Sequence, residues 1–196
     1  MEKLELFYPI RPFIVNQAFG ACRPDVCDFY KKIGLDGHNG IDCFALRGQY
    51  VRAAHDGLVT FAGEDGSAGY GVVIRTHDKR LDSDGNATYF KTIYWHLQSD
   101  GVLVRAGQSV KVGDPIGLAD STGFSTGDHL HFGLKPVYPG EEDWAWYNRE
   151  QDNGYRGAIN PAGYFNGVYA EFAQGLISKF QLLITLLQRM VESLRK

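Results

Sequence analysis

Residues 50–62, Tyr50-Val-Arg-Ala-Ala-His-Asp-Gly-Leu-Val-Thr-Phe-Ala62, decide the fold class. Two short runs rich in β-branched and aromatic residues, 50–54 and 57–62, are divided by His55-Asp56-Gly57, whose residue types tolerate a positive φ at low cost. Runs of this length bounded by such turns read as strands. The same pattern recurs outward from here, at 71–77, 88–97, 108–112, 116–119 and 129–134, and Asp82-Ser-Asp-Gly-Asn86 supplies another turn. The expectation is a mainly β protein of consecutive antiparallel strands in a sheet or sandwich-like core. The 24 glycines suit strands that bend and meet tight turns.

Either side of this block the pattern changes. Residues 139–158 combine Trp144, Trp146 and Tyr147 with charge and hold neither strand nor helix period, so a long surface loop is expected. Its aromatics either wall an extended ligand or fold over the core. From Tyr169 onward Leu176, Phe180, Leu183, Leu187, Met190 and Leu194 recur at spacings of four and three, which predicts a separate amphipathic α-helix over 169–196 beyond a domain of residues 1–168. Three uses of that helix stand open: packing on its own domain, contact with a second copy or a partner, and a membrane-surface anchor.

Composition removes some classes. A chain of 196 residues that is 44% hydrophobic can bury a real core. A net charge of -3 offers no concentrated basic face, so nucleic acid is not expected as a partner. No stretch is long and apolar enough for a membrane span, and the first ten residues, with two acids and Pro9, do not read as a secretory signal. Three cysteines do not make a disulfide framework, although Cys22 and Cys27 could pair.

The chemistry is concentrated in three short clusters. In Gly37-His38-Asn39-Gly40-Ile41-Asp42 a straight strand would hold the histidine and the carboxylate about 13 Å apart, so sharing one metal requires a turn at Gly40. In Asp128-His129-Leu130-His131-Phe132 two imidazoles at i and i+2 share a strand face while Leu130 and Phe132 take the other. The third histidine, His96, ends the β run Ile93-Tyr94-Trp95-His96-Leu97. Each cluster alone has an ordinary structural explanation. Together they offer His, Asp and His to one metal, with two imidazoles left over to orient water or carry protons.

The set His-x-Gly-x-Asp, then Tyr-x-His-Leu, then Ser-Thr-Gly-x-Ser-Thr-Gly-x-His-Leu-His-Phe, in this order and spacing, resembles the lysostaphin-type metallopeptidases over roughly residues 16–165. The stretch from Gly48 to Val59 and Gly107-Gln-Ser-Val-Lys-Val-Gly-Asp-Pro-Ile-Gly117 extend the likeness. The resemblance implies one Zn²⁺ per chain on His38, Asp42 and His131, with His96 and His129 as the catalytic pair. It implies hydrolysis of peptide bonds in bacterial peptidoglycan, in the stem or the cross-bridge, on an antiparallel β core whose groove is walled by residues 20–36, the 78–87 turn and the 139–158 loop. Action would be at the cell envelope or outside the cell, reached by a phage-type lysis route, another export system or a partner.

Two departures stand out. Gly133 occupies a position where the family usually has an acid, and Cys43 follows Asp42 where an aliphatic or aromatic residue is usual. Alternation along a strand points the Cys43 thiol away from Asp42's side. Tyr94 and Asn39 fall near the site in sequence, whereas His55 and His77 match no ligand position and read as structural. Two other functions compete: a silent or autoinhibited scaffold for other hydrolases, and a phosphocarrier, which would leave Asp42 unexplained.

Overall fold

The computed structural model describes residues 1–24, 26–138, 147–148 and 153–166. Eleven strands follow in chain order: β1 Val15–Gln17, β2 Ile41–Phe44, β3 Tyr50–Arg52, β4 Gly57–Asp65, β5 Gly69–Thr76, β6 Arg80–Leu81, β7 Ala87–Val102, β8 Ser109–Val110, β9 Pro115–Ala119, β10 His129–Tyr138 and β11 Tyr147–Asn148. Among the described residues one α-helix, α1, spans Cys27–Lys32. The expected mainly β antiparallel core is found. The C-terminal helix and the domain limit expected at 168 lie outside the described residues.

Neighbours in the sheet are not neighbours in the chain. The order is β1-β2-β10-β7-β5-β4-β8, with β3 and β9 paired to each other and joined to the end of β7 through β9. The two runs of residues 50–62 therefore do not pair together: β3 joins β9, and β4 joins β5 and β8. Hydrophobic alternation tells which face of a strand is buried, but it does not select the partner. Insertion of β10 between β2 and β7 sets Asp42 opposite His131 and His131 opposite Trp95.

The core lies on one face of this sheet. Ile41, Cys43, Val59, Val72, Ile74, Phe90, Tyr94, Leu130, Phe132 and Leu134 turn inward at alternate positions, and Leu4, Leu6 and Ile10 of the N-terminal segment join them. Phe132 is fully buried, and cutting it to alanine would cost about 3–5 kcal/mol through lost burial and the cavity left behind.

A second buried feature explains two residues near the motifs. The backbone N–H of Ala54 donates to Tyr94 Oη at 2.8 Å, Tyr94 Oη lies 3.0 Å from Thr92 Oγ1, and Thr92 Oγ1 lies 2.9 Å from His55 Nε2. His55 Nδ1–H closes the chain on the carbonyl of Asp56 at 2.9 Å. Each buried side-chain polar atom along this hydrogen-bonded series, from Tyr94 Oη to His55 Nδ1, has a partner, as burial demands. Tyr94 thus faces the core, His55 is structural as expected, and His77 is exposed.

Several boundaries differ from expectation. β7 continues past Leu97 because polar Gln98 to Gly101 stay extended to reach β9, where Val102 opposes Gly117. Within the expected 139–158 loop, residues 147–148 pair with 137–138 as β11, while Trp144 and Trp146 lie outside the described residues. The segment 20–36 holds α1, too short to betray a helical period, and Cys22 and Cys27 are joined by a disulfide. The 78–87 turn was expected as a groove wall. It caps the far end of β7, about 30 Å of extended strand from His96, and so does not border the histidines.

Candidate metal centre

His38 and Asp42 meet because the chain turns immediately before β2. Gly40 permits that turn at close quarters: a Cβ there would stand 2.7 Å from the His131 ring and from the Phe132 carbonyl. With the turn made, His38 Nε2 lies 3.1 Å from Asp42 Oδ1, His131 Nδ1 lies 3.0 Å from the same oxygen, and the two ring nitrogens are 3.0 Å apart. These three atoms could hold a metal ion. Tetrahedral zinc with bonds of about 2.0–2.2 Å would separate its ligand atoms by about 3.3–3.6 Å, so the donors need spread only a few tenths of an ångström to take it. Two imidazoles and a carboxylate are also a donor set that zinc accepts.

The ligand-side groups are sheltered and held from behind. His38 is buried; its Nδ1–H meets the Ala18 carbonyl at 3.2 Å, and its ring lies along Tyr30 of α1 at 6.0 Å between centroids. Gln17 Nε2 donates to Tyr30 Oη at 2.7 Å, tying α1 to β1. Burial alone would raise the Asp42 pKa, but hydrogen bonds and charge from His131 and His38 outweigh it and hold the carboxyl well below the usual range. Burial lowers the His131 pKa against the opposing pull of Asp42. Cys43 is fully buried on the opposite side of β2 and so is not a fourth donor.

His96 reaches this face by an irregularity. Along β7 the residues Thr88, Phe90, Thr92 and Tyr94 turn inward, and strict alternation would bury the imidazole of residue 96 with them. The pairing with β5 instead shifts between Tyr70 and Gly71, opposite Leu97 and Trp95, and His96 adopts φ 67°. Such a left-handed residue costs about 1–2 kcal/mol. The bulge turns His96 toward the metal side and returns Leu97 to the core. Its ring then lies 4.5 Å from that of His129 and 6.1 Å from that of His131.

Both of these imidazoles are aimed by backbone carbonyls. His96 Nδ1 is 2.7 Å from Thr122 O, and His129 Nδ1 is 2.8 Å from Gly127 O. Since a carbonyl can only accept, these partners assign the proton to Nδ1 and leave each Nε2 with a lone pair. His129 Nε2 faces the cluster, 3.6 Å from Asp42 Oδ1. Burial, then the charge of His129, pushes the His96 pKa down to about 4.

The five residues singled out from the sequence therefore lie together. The 121–128 loop that orients two of them was legible only as a Ser-Thr-Gly run. Its carbonyls matter more than its side chains, and Gly69 and Gly123, both at positive φ, let it press backbone to backbone against the start of β5. Arg47 was not singled out. It reaches Asp120 Oδ1 at 2.6 Å and Asp128 Oδ1 at 3.3 Å, bracketing the entry to His129. Among the described residues the Asn39 side chain has no hydrogen-bond partner that gives it a role.

Comparison with known proteins bears on this geometry. The model of peptidase family M23 matches residues 36–142, more than half of the chain and inclusive of all five of the residues singled out above. The chain is 41% identical over 95 residues to the peptidoglycan DD-endopeptidase ShyB of Vibrio cholerae, an overlap of 48% of this chain and 20% of that protein. It is similar in structure to a zinc-containing peptidase from Vibrio cholerae, with TM-score 0.54 and 30% identity, covering 69% of this chain and 37% of the other. The catalytic domain of lysostaphin from Staphylococcus simulans shares the fold, with TM-score 0.54 and 23% identity over 78% of this chain and 91% of that one. The chain spans only about a fifth of the length of the curated relatives that it matches.

Proposed function

The chain belongs to peptidase family M23, and from that premise we propose that it is a zinc-dependent endopeptidase that hydrolyses peptide bonds of bacterial peptidoglycan at the cell envelope or outside the cell. The observation that carries this reading is the convergence of His38 Nε2, Asp42 Oδ1 and His131 Nδ1 to within 3.0–3.1 Å of one another beside two further oriented imidazoles. His38, Asp42 and His131 would hold one Zn²⁺. When bound, zinc supplies a Lewis acid that lowers the pKa of water toward neutrality and polarises a carbonyl.

The remaining steps belong to the chain's own groups. With Nδ1–H committed to Thr122 O, His96 offers its Nε2 lone pair to take a proton from the attacking water. His129, held in the same tautomer by Gly127 O, can pass a proton toward the leaving amine once it has gained one, or donate to the developing oxyanion in its protonated form. Two fixed imidazoles on one side of the donor set suit a reaction in which one proton must leave the nucleophile and one must reach the amine. Asp42 stays ionised throughout, because His38 and His131 stabilise its charge.

The activity and substrate are supported by the likeness to relatives such as the peptidoglycan DD-endopeptidase ShyB and to the zinc-containing peptidase of Vibrio cholerae. The amphipathic segment 169–196 we keep as a contact for a partner or a second copy, on the support of its apolar spacing alone; sizing the protein with and without residues 170–196 tests it. The central test is elemental analysis of the purified chain together with release of new amino termini from peptidoglycan, repeated with H129A. About one zinc per chain with turnover that H129A loses is the expected result. Zinc without turnover would remove the enzymatic reading, and absence of zinc would remove the metal centre.

A further inference from the structure

Strands β2, β10 and β7 supply the floor of the candidate metal centre, and two other segments stand at its sides. On one side α1, within the 20–36 stretch, lays Tyr30 along His38. On the other the 121–128 loop aims His96 through Thr122 O and His129 through Gly127 O. The two sides also meet each other. Phe29 of α1 and Phe124 of the loop stack with ring centroids 4.1 Å apart and planes inclined by 13°. Phe29 in turn lies 6.2 Å from the Tyr30 ring, so ring contacts run from His38 across to the loop that orients the other two imidazoles.

The groups between these sides are well covered: the side chains of Asp42, His129 and His131 are only 13–16% exposed, and His38 and His96 are buried. A peptide that is to reach all of them at once has to enter between the two sides that the pair joins. Both backbones are pinned. The Cys22–Cys27 disulfide holds the start of α1, Asp36 N–H donates to Gly154 O at 2.9 Å just beyond its end, and Phe124 N–H donates to Ser67 O at 2.7 Å. Phe124 itself is 58% exposed, so its ring has room to turn away from Phe29. Rotation about its side-chain torsions separates the stack without breaking a backbone hydrogen bond, and exposed side chains make such moves within nanoseconds.

We propose that Phe29 and Phe124 form an aromatic gate across the entrance to the candidate metal centre, which an incoming peptide opens by displacing the Phe124 ring. The inference rests on the peptidase reading for the identity of that peptide. While the rings are stacked the entrance is shut, and apparent affinity falls in proportion to the fraction of chains that stand open. A stacked aromatic pair contributes enough to favour the closed arrangement by about two- to tenfold. Phe29, on the pinned helix, is the fixed half of the gate, and Phe124 is the half that moves.

The test follows extraction of zinc from the loaded full chain by pyridylazoresorcinol, a chelator broad enough to need the open entrance, and reads the part of the rate proportional to chelator concentration. F29A and F124A are each expected to raise that rate by about two- to tenfold, with zinc affinity at equilibrium unchanged. The double variant should gain no more than either single one, since either truncation removes the whole stack. Turnover of peptidoglycan should rise by a similar factor in kcat/KM, through KM, with kcat intact. Unchanged extraction in both single variants, or gains that multiply in the double variant, would overturn the gate. So would weaker equilibrium binding of zinc or a fall in kcat, because Phe124 would then serve to hold the loop that orients His96 and His129. Faster extraction in the variants with no turnover by any chain, the unsubstituted one included, would sink the peptidase reading and leave the gate standing.

Discussion

Gly40→Ala adds one methyl group at the tightest point of the candidate metal centre. That carbon would stand 2.7 Å from His131 Cε1 and Nε2 and 2.7 Å from Phe132 O, where ordinary contacts begin at 3.4 Å. The shortfall of about 0.7 Å must be taken up by the His131 ring or by the backbone, since the carbonyl belongs to the central pairing of β2 and β10. Overpacking of this kind costs about 1–3 kcal/mol, and at about 2 kcal/mol a domain of this size loses roughly 4–8 °C in Tm. The larger effect falls on the metal: ligand positions tolerate about 0.2 Å, so a ring displaced by several tenths should lower zinc affinity by about 10–100-fold. Competition with a chromogenic chelator reads the affinity and calorimetric unfolding of the metal-free chain reads the stability. Unchanged affinity together with unchanged Tm would refute the claim that Gly40 is needed for the close approach of residues 38–42 to β10.

Other outcomes follow from the same geometry. H38A should reduce zinc to near zero in elemental analysis and abolish peptidoglycan turnover, while leaving the far-ultraviolet spectrum of the β core in place; retained hydrolysis would end the metal mechanism. H129A should keep zinc and lose about 10²–10⁴-fold in kcat, as removal of a proton-transfer group does, and a drop of less than fivefold would argue against that role. Stability should also depend on pH through His55, whose burial pushes its pKa down to about 4 from an ordinary 6.5. The unfolded chain binds this proton more readily between those values, so its contribution, about 3 kcal/mol, is present above pH 6.5 and lost as pH falls toward 4. Urea midpoints measured across that window should slope upward with pH, and H55Q should flatten the slope; an identical slope in the variant would exclude His55 as the cause.

The sequence by itself determined more of the site than of the architecture. Alternation at His129-Leu130-His131-Phe132 already assigned two imidazoles to one face and two apolar groups to the other, because strand geometry is local. The His38 and Asp42 pair demanded a turn at Gly40 for the same reason, and the turn is there. The resemblance carried by the three motifs singled out five residues, His38, Asp42, His96, His129 and His131, that the fold brings together. What depended on distant parts of the chain was not legible. Asp42 meets His131 because β10 inserts between β2 and β7, and such pairing is chosen by the whole buried surface rather than by either strand. His96 joins them only through a bulge at φ 67°, which ordinary alternation would have hidden in the core. The carbonyls of Thr122 and Gly127 that set the two tautomers carry no side-chain signature. Local periodicity is written in neighbouring residues, whereas register, bulges and backbone partners arise from contacts between segments far apart in the chain, and these the tertiary structure alone decided.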